Sequence, residues 1–236
     1  MTAKLYFISQ KMKLFGDVLI CASCINELSE IKSFDTLDLK TGEVYNLSSD
    51  IDILITGVGA WLPVFTLQNV LLKKKYDLVI FVGICGEYDF DKDLCQLYVV
   101  SKTTFVDMGF EDENQNFVSI IGSRFFGDCD FGFQSGYLVN PLSEKFAMDY
   151  SLKAVTCNTV ARCCTDEKRI NFLTEKHHAQ IETMESAAFA FVCLNLNQKF
   201  VELRCSSNYV LPKKQKKWQV KPAIAKLNEF LETYFF

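Results

Sequence analysis

The stretch "IDILITGVGAWLPVFTLQNVLLKKKYDLVIFVGICG", residues 51–86, decides how the chain folds. Two short apolar runs, 51–59 and 77–86, flank an amphipathic segment, 60–75. The runs are too short for helices and do not alternate with polar residues. They read as strands buried on both faces. Between them Leu67, Val70 and Leu71 fall at helical spacing. Pro63 stands near the start, where a missing N–H costs nothing, and lysines close the segment beside the negative end of the helix dipole. A strand–helix–strand unit of this kind builds a parallel sheet.

The same rhythm extends in both directions. "VLICA" (18–22) reads as a first buried strand. Further strands are expected at 97–110, 116–121, 153–160, 179–184 and 199–207. Helices are expected at 166–177, at 185–196 and near 220–235, while 122–150, rich in Gly, Phe and Asp, reads as irregular. No Gly/Ser linker, repeat or low-complexity segment divides the chain. One domain is expected over 1–236, with 1–16 set apart as an extra N-terminal segment.

Composition narrows the class. The 236 residues are about half apolar and just under a quarter charged, as in ordinary globular domains. The net charge of −4 argues against a nucleic-acid partner, which needs a clustered positive excess. No run reaches membrane-spanning length. The ten cysteines sit mostly inside apolar runs, such as Cys85, Cys193 and Cys205, and no secretory leader precedes them. Free thiols in a reducing cytoplasm are expected, not a disulfide framework. Cys21 and Cys24 form one C-x-x-C without a second pair, and His177 and His178 are adjacent, so no metal site is expected.

The informative residues are those that break the pattern. Two glycine pairs, in "TGVGAW" (56–61) and "VGICGEYD" (82–89), sit where strands are expected to end. Glycine there lets backbone N–H groups approach a ligand, and it equally makes tight turns. Neither motif is a dinucleotide fingerprint or a Walker loop. Glu27 follows the first strand and would by default be a surface residue. Glu185 opens a nearly wholly apolar helix, where a carboxylate is costly unless bonded. It either pairs with Arg204 or waits for sugar hydroxyls. Arg204, Ser207 and Asn208 crowd the end of the last core strand, and in open α/β sheets ligands gather at such ends. The lysines of "PKKQKKW" (212–218) read as a solvated loop or as an attraction for an anionic substrate.

In combination, "ITGVGAW", "DLVIFVGICGEYD", "ETMESAAFAFVC" and "ELRCSSNYV" resemble the nucleoside phosphorylase/nucleosidase superfamily. "FVDMGFEDENQNFVSI", "CNTV" and "SSNYV" look like its futalosine hydrolase subgroup. The resemblance implies a three-layer α/β/α sandwich around a mixed, twisted sheet that curls towards a barrel. It implies that Glu27 activates water, that Glu185 holds the ribose 2′- and 3′-hydroxyls, and that Asn208 faces the purine. Gly59, Ile84, Gly86, Val160, Met184, Arg204 and Ser207 would complete the substrate site. No metal or organic cofactor is implied. The implied partners are a nucleoside, water and a second copy of the chain in a homodimer or larger assembly. Ser186 stands where the family has Gly or Ala; serine is small enough to pass there, at the risk of crowding the helix start. Phe81 stands where related phosphorylases place an Arg for phosphate, which favours water as nucleophile. Asn208 stands where adenosine-type relatives place Asp, which favours a 6-oxopurine.

Overall fold

The computed structural model describes residues 16–31, 39–164, 166–210 and 217–236. The expected N-terminal segment, apart from Gly16, and Lys213 and Lys214 lie outside the described residues.

The elements form because apolar strand runs pair while amphipathic segments cover them. In chain order they are β1 (Val18–Ala22), a 3-10 turn (Ile25–Leu28), β2 (Val44–Asn46), β3 (Ile51–Ile55), α1 (Trp61–Leu71) and β4 (Leu78–Glu87). Next come β5 (Leu97–Phe105), β6 (Gly109–Glu111), β7 (Phe117–Ser119), β8 (Phe133–Gln134), β9 (Tyr137–Val139) and α2 (Ser143–Tyr150). The remainder is β10 (Lys153–Thr159), α3 (Glu167–His177), β11 (Ile181–Thr183), α4 (Ser186–Asn195), β12 (Phe200–Tyr209) and α5 (Val220–Tyr234).

The main sheet runs β2-β3-β1-β4-β11-β10-β5-β9-β8, and β12 pairs with both β4 and β5. Strands β4, β11, β10, β5 and β12 therefore close into a ring, the barrel-like half of the sheet. Strands β3, β1, β4 and β12 are parallel neighbours. β11 meets β4 antiparallel, and β12 meets β5 antiparallel, so the sheet is mixed. One face packs Ile20, Ile80, Val82, Val201 and Leu203 against Leu227, Leu231 and Phe146 of α5 and α2. The other packs Leu19, Val79, Phe81 and Phe200 against Leu67, Leu71 and Phe189 of α1 and α4. This is the expected three-layer arrangement.

Three sequence expectations change in the structure. The long strand 97–110 divides into β5 and β6. Asp107 turns away there to accept from the Ala161 N–H at 2.8 Å and to pair with Arg169 at 3.3 Å. Residues 122–150 are not irregular throughout. Ser135 and Gly136, with φ of 48° and 79°, make the two-residue turn that a β8–β9 hairpin needs. After them Ser143, Phe146 and Ala147 fall at helical spacing and are buried as one face of α2. Finally, β4 and β12 do not stop at their polar residues. Gly83, Gly86, Ser207 and Asn208 are strand residues, not loop residues.

Phe189 is wholly buried, with its ring 4.5 Å from Phe81 and edge-on to Phe200 at 5.5 Å. Phe189→Ala is expected to lower unfolding stability by about 3–5 kcal/mol, read from the urea midpoint.

Candidate active site

The polar residues lie at the carboxyl ends of β1, β3, β4, β11 and β12, where parallel strands leave backbone groups for a ligand. Glu27 sits in the 3-10 turn after β1. It is buried, contrary to its default as a surface residue. Its Oε2 accepts from the N–H groups of Ser23 (2.8 Å) and Cys24 (3.3 Å), and its Oε1 accepts from Ile84 N–H (3.1 Å). Asn228 of α5 donates to the Glu27 carbonyl at 2.7 Å and anchors the turn from behind. Burial raises the Glu27 carboxyl above its ordinary range, while Arg204 and the Ile84 N–H oppose that rise.

Gly83 explains how Glu27 and Arg204 come so close. A Cβ built there would stand 2.2 Å from Arg204 Nη1 and 2.5 Å from Glu27 Oε1. Only a residue without a side chain leaves room for both groups. Arg204 lies directly across from Gly83 on β12 and has no exposed surface. Its guanidinium lies 4.4 Å over the Phe81 ring, and its Nε donates to Glu202 Oε1 at 2.7 Å. Burial would lower its pKa, but Glu202, Glu185 and Glu27 hold it up. Nη1 and Nη2 have no hydrogen-bond partner among the described residues.

Glu185 is not the ion-pair partner of Arg204. Glu202 takes that place. Glu185 instead stands as N-cap of α4, with Oε1 accepting from Gly59 N–H at 2.8 Å. Gly59 has φ of +84°, a conformation that glycine adopts without strain. The charge of Glu185 reaches Glu27, Glu202 and Arg204, which places it in the same cluster. Ser186 does not crowd the helix start. Its hydroxyl donates to Glu202 Oε1 and lies 2.5 Å from Thr183 Oγ1. It helps position the carboxylate that positions Arg204.

Asn208 owes its place to a bulge. The β4–β12 register slips at Ser207, so Asn208 stands beside Gly86 rather than Glu87. Ser207 Oγ lies 3.3 Å from the Cys85 carbonyl and 2.9 Å from Asn208 Oδ1. Asn208 Nδ2 is 3.3 Å from the Tyr209 carbonyl, which fixes the amide with its NH2 on that side. Met184 packs on Val106, Val160 and Leu173. Val160 also borders a cleft of about 610 Å³, together with Trp61, Phe65, Phe105 and Met108.

The structure thus gathers Glu27, Ile84, Arg204, Glu185 and Gly59 in one cluster. Gly86, Ser207 and Asn208 lie next to it along β4 and β12. Met184 and Val160 form a separate apolar contact on the α3 side. Gly83 was singled out only as one of a glycine pair, and Glu182 and Glu202 were not singled out from sequence. The two acids had a signal: each interrupts an apolar strand run, in "QIETM" and "FVELRC".

No protein-family model and no curated protein matches the chain. Solved structures do. A futalosine hydrolase mutant of Helicobacter pylori strain 26695 superposes with a TM-score of 0.70 at 17% identity, covering 93% of this chain and 98% of that one. The 5′-methylthioadenosine/S-adenosylhomocysteine nucleosidase of Neisseria meningitidis, in complex with methylthio-immucillin-A, gives 0.72 at 15%, covering 92% and 97%. The corresponding nucleosidase of Streptococcus pneumoniae, in complex with 8-aminoadenine, gives 0.70 at 14%, covering 92% and 98%. The chain has the nucleoside phosphorylase/nucleosidase fold.

Gly83→Ala tests the packing at the centre of the cluster. The methyl group has to displace a guanidinium or a carboxylate, so a stability loss of about 2 kcal/mol or more is expected in urea unfolding.

Proposed function

We propose that the protein hydrolyses the N-ribosidic bond of a purine nucleoside, and that the nucleoside is futalosine, cleaved to hypoxanthine in menaquinone biosynthesis. The observation that carries this reading is the meeting of Glu27 and Arg204 over Gly83. A buried carboxylate held by backbone N–H groups faces a guanidinium whose Nη atoms have no hydrogen-bond partner among the described residues. A water between them is oriented by the Nη donors and gives its proton to Glu27 as it attacks. The structural neighbours, a futalosine hydrolase and two nucleosidases, support the same chemistry.

The steps follow from charge. The C1′–N9 bond breaks with its electron pair passing to the base, and the water oxygen bonds C1′. Positive charge develops on the sugar, where Glu185 stabilises it while accepting from the ribose hydroxyls. Negative charge develops on the base, where the Asn208 NH2 donates to N7 or O6. Phosphate is disfavoured as nucleophile. Arg204 is surrounded by the charges of Glu202, Glu185 and Glu27, and Phe81 contributes an aromatic face rather than a second cation. An anion would meet more repulsion than attraction there.

The amide at Asn208 favours a 6-oxopurine over adenine, because a carboxamide can donate to O6. The apolar cleft beside Val160 gives the 5′ substituent a place to lie. We further propose a homodimer. Trp61, Phe65 and Leu72 lie within one narrow stripe of α1 and its C-terminal edge, and they are 89%, 68% and 65% exposed. The ten free thiols suit a cytoplasmic protein.

Five outcomes are expected. Futalosine incubated with the protein releases hypoxanthine at the same rate with or without phosphate, by chromatography of the products; adenine release from methylthioadenosine, with futalosine untouched, would overturn the reading. Asn208→Asp loses at least about tenfold in kcat/KM on futalosine; unchanged selectivity between hypoxanthine and adenine nucleosides would remove Asn208 as reader of the base. Glu27→Gln lowers kcat by about 100-fold or more. In the unmodified protein, kcat/KM falls as pH drops through the raised Glu27 pKa, so the acid limb lies above the ordinary glutamate value of 4.5. Trp61→Glu shifts the protein from dimer to monomer by light scattering.

A further inference from the structure

The turn that carries Glu27 is short, and its own hydrogen bonds are long. Glu27 N–H donates to the Cys24 carbonyl at 3.2 Å, Ser29 N–H to that of Asn26 at 3.3 Å and Ile31 N–H to that of Leu28 at 3.2 Å. These are the i→i+3 links of a 3-10 turn, whose bonds are poorer in geometry than those of an α-helix. One link of the series is missing among the described residues: Glu30 N–H does not donate to the Glu27 carbonyl. Asn228 of α5 takes both groups instead. Its Nδ2 donates to the Glu27 carbonyl at 2.7 Å, and its Oδ1 accepts from Glu30 N–H at 3.0 Å. The carboxamide stands between the two ends of the missing link and holds them apart.

Asn228 is buried on the apolar face of α5, in line with Ile224, Leu227 and Leu231. An amide at such a place is costly unless both its ends are bonded. Packing does not require it. Leu28 and Ile31 of the turn share one apolar cluster with Leu227 and Leu231, which docks the helix on the turn without any polar group. What apolar packing leaves unset is the rotation of the Glu27 backbone. That rotation matters because the side chain has a fixed target. The N–H groups of Ser23, Cys24 and Ile84 receive its carboxylate, and its Oε1 lies over Gly83. Closing the link from Glu30 to Glu27 would turn the Glu27 carbonyl and swing the carboxylate away from Ile84.

We propose that Asn228 is a positioning residue: it keeps the turn open at Glu27 and thereby sets the carboxylate against Ile84 N–H and over Gly83. This rests on the nucleosidase reading, in which Glu27 takes the proton of the attacking water, and it adds a support for that step from α5. A base displaced by an ångström still leaves a folded protein that binds its substrate, but the attack slows sharply. The role of Asn228 is therefore to be read in kcat and in the pH profile, not in stability.

The test is steady-state hydrolysis of futalosine by the full chain, with urea unfolding measured on the same samples. Asn228→Leu keeps the volume of the side chain. The freed Glu27 carbonyl and Glu30 N–H can then bond each other, so this variant is expected to fold with its urea midpoint little changed. Asn228→Ala removes the same two bonds and serves as the second variant. Both are expected to lower kcat about 30-fold while KM changes by less than about twofold. The acid limb of kcat/KM should also move to higher pH, because a Glu27 carboxylate that stays buried and loses the Ile84 N–H loses a group that opposes the rise of its pKa. Leu231→Ala, on the same face of α5, should lower the urea midpoint and leave kcat and the acid limb unchanged. Unmoved kcat and acid limb in whichever Asn228 variant folds would overturn the proposal, and so would an equal loss of kcat in Leu231→Ala. In either case the unmodified chain still hydrolyses futalosine, and the nucleosidase reading stands. An unmodified chain that cleaves neither futalosine nor methylthioadenosine would overturn that reading and this inference together.

Discussion

A fully buried guanidinium is the constraint around which the rest of the structure is arranged. Removing a charge from water costs several kcal/mol, so Arg204 requires partners on every side. Phe81 supplies a π-face below it, Glu202 accepts from its Nε–H, and Ser186 and Thr183 hold Glu202 in place. Glu27 stands on the far side of Gly83. None of these groups is exchangeable alone. Loss of Glu202 would leave a buried cation short of a carboxylate, and a side chain at Gly83 would separate that cation from Glu27. The packing of α4 is tied in as well, because Phe189 stacks on the ring that carries Arg204.

That constraint accounts for the topology of β12. Only a strand inserted between β4 and β5 can present Arg204 opposite Gly83 and still reach Gly86 with Asn208. An unbroken register would have set Asn208 against Glu87, whose carboxylate is already held by the Tyr98 hydroxyl at 2.6 Å. The single-residue bulge at Ser207 resolves the conflict. It moves the amide one position back along β4, onto a glycine whose missing side chain leaves room for it beside Val210. The glycines of β4 are thus the points in the strand where side chains of neighbouring elements meet, Arg204 and Glu27 over Gly83 and Val210, Glu182 and Asn208 over Gly86.

The layers were legible in the sequence because burial writes itself as uninterrupted apolar runs. "VLICA", "DLVIFVGICG" and "FVELRC" had no alternative but the middle of a sheet. The hairpin and helix within 122–150 were hidden, since β8 and β9 are two and three residues long and give no periodicity. Glu27, Glu185, Arg204 and Asn208 stood out as polar residues at strand ends. Their partners did not. The pairing of Arg204 with Glu202 rather than Glu185 depends on which face each side chain takes within one strand. The approach of Glu182 to Asn208 depends on β11 and β12 meeting the same glycine from opposite sides of β4. Such juxtapositions belong to register, and a slip of one residue reverses every face.

Glu27, Glu182 and Glu202 all sit where burial raises their pKa, and among the described residues Arg204 is the only cation fully enclosed with them. The cluster is thus poorer in positive charge than its carboxylates require. An apolar core of the same volume would be more stable. Under the proposed hydrolysis the imbalance has a use. The group in deficit is a cation, and the sugar becomes cationic only as its bond to the base lengthens. A site that is electrostatically uncomfortable when empty, and still uncomfortable around a neutral nucleoside, is most relieved at the transition state. That difference between ground and transition state, rather than tight binding of the substrate, is what accelerates a reaction.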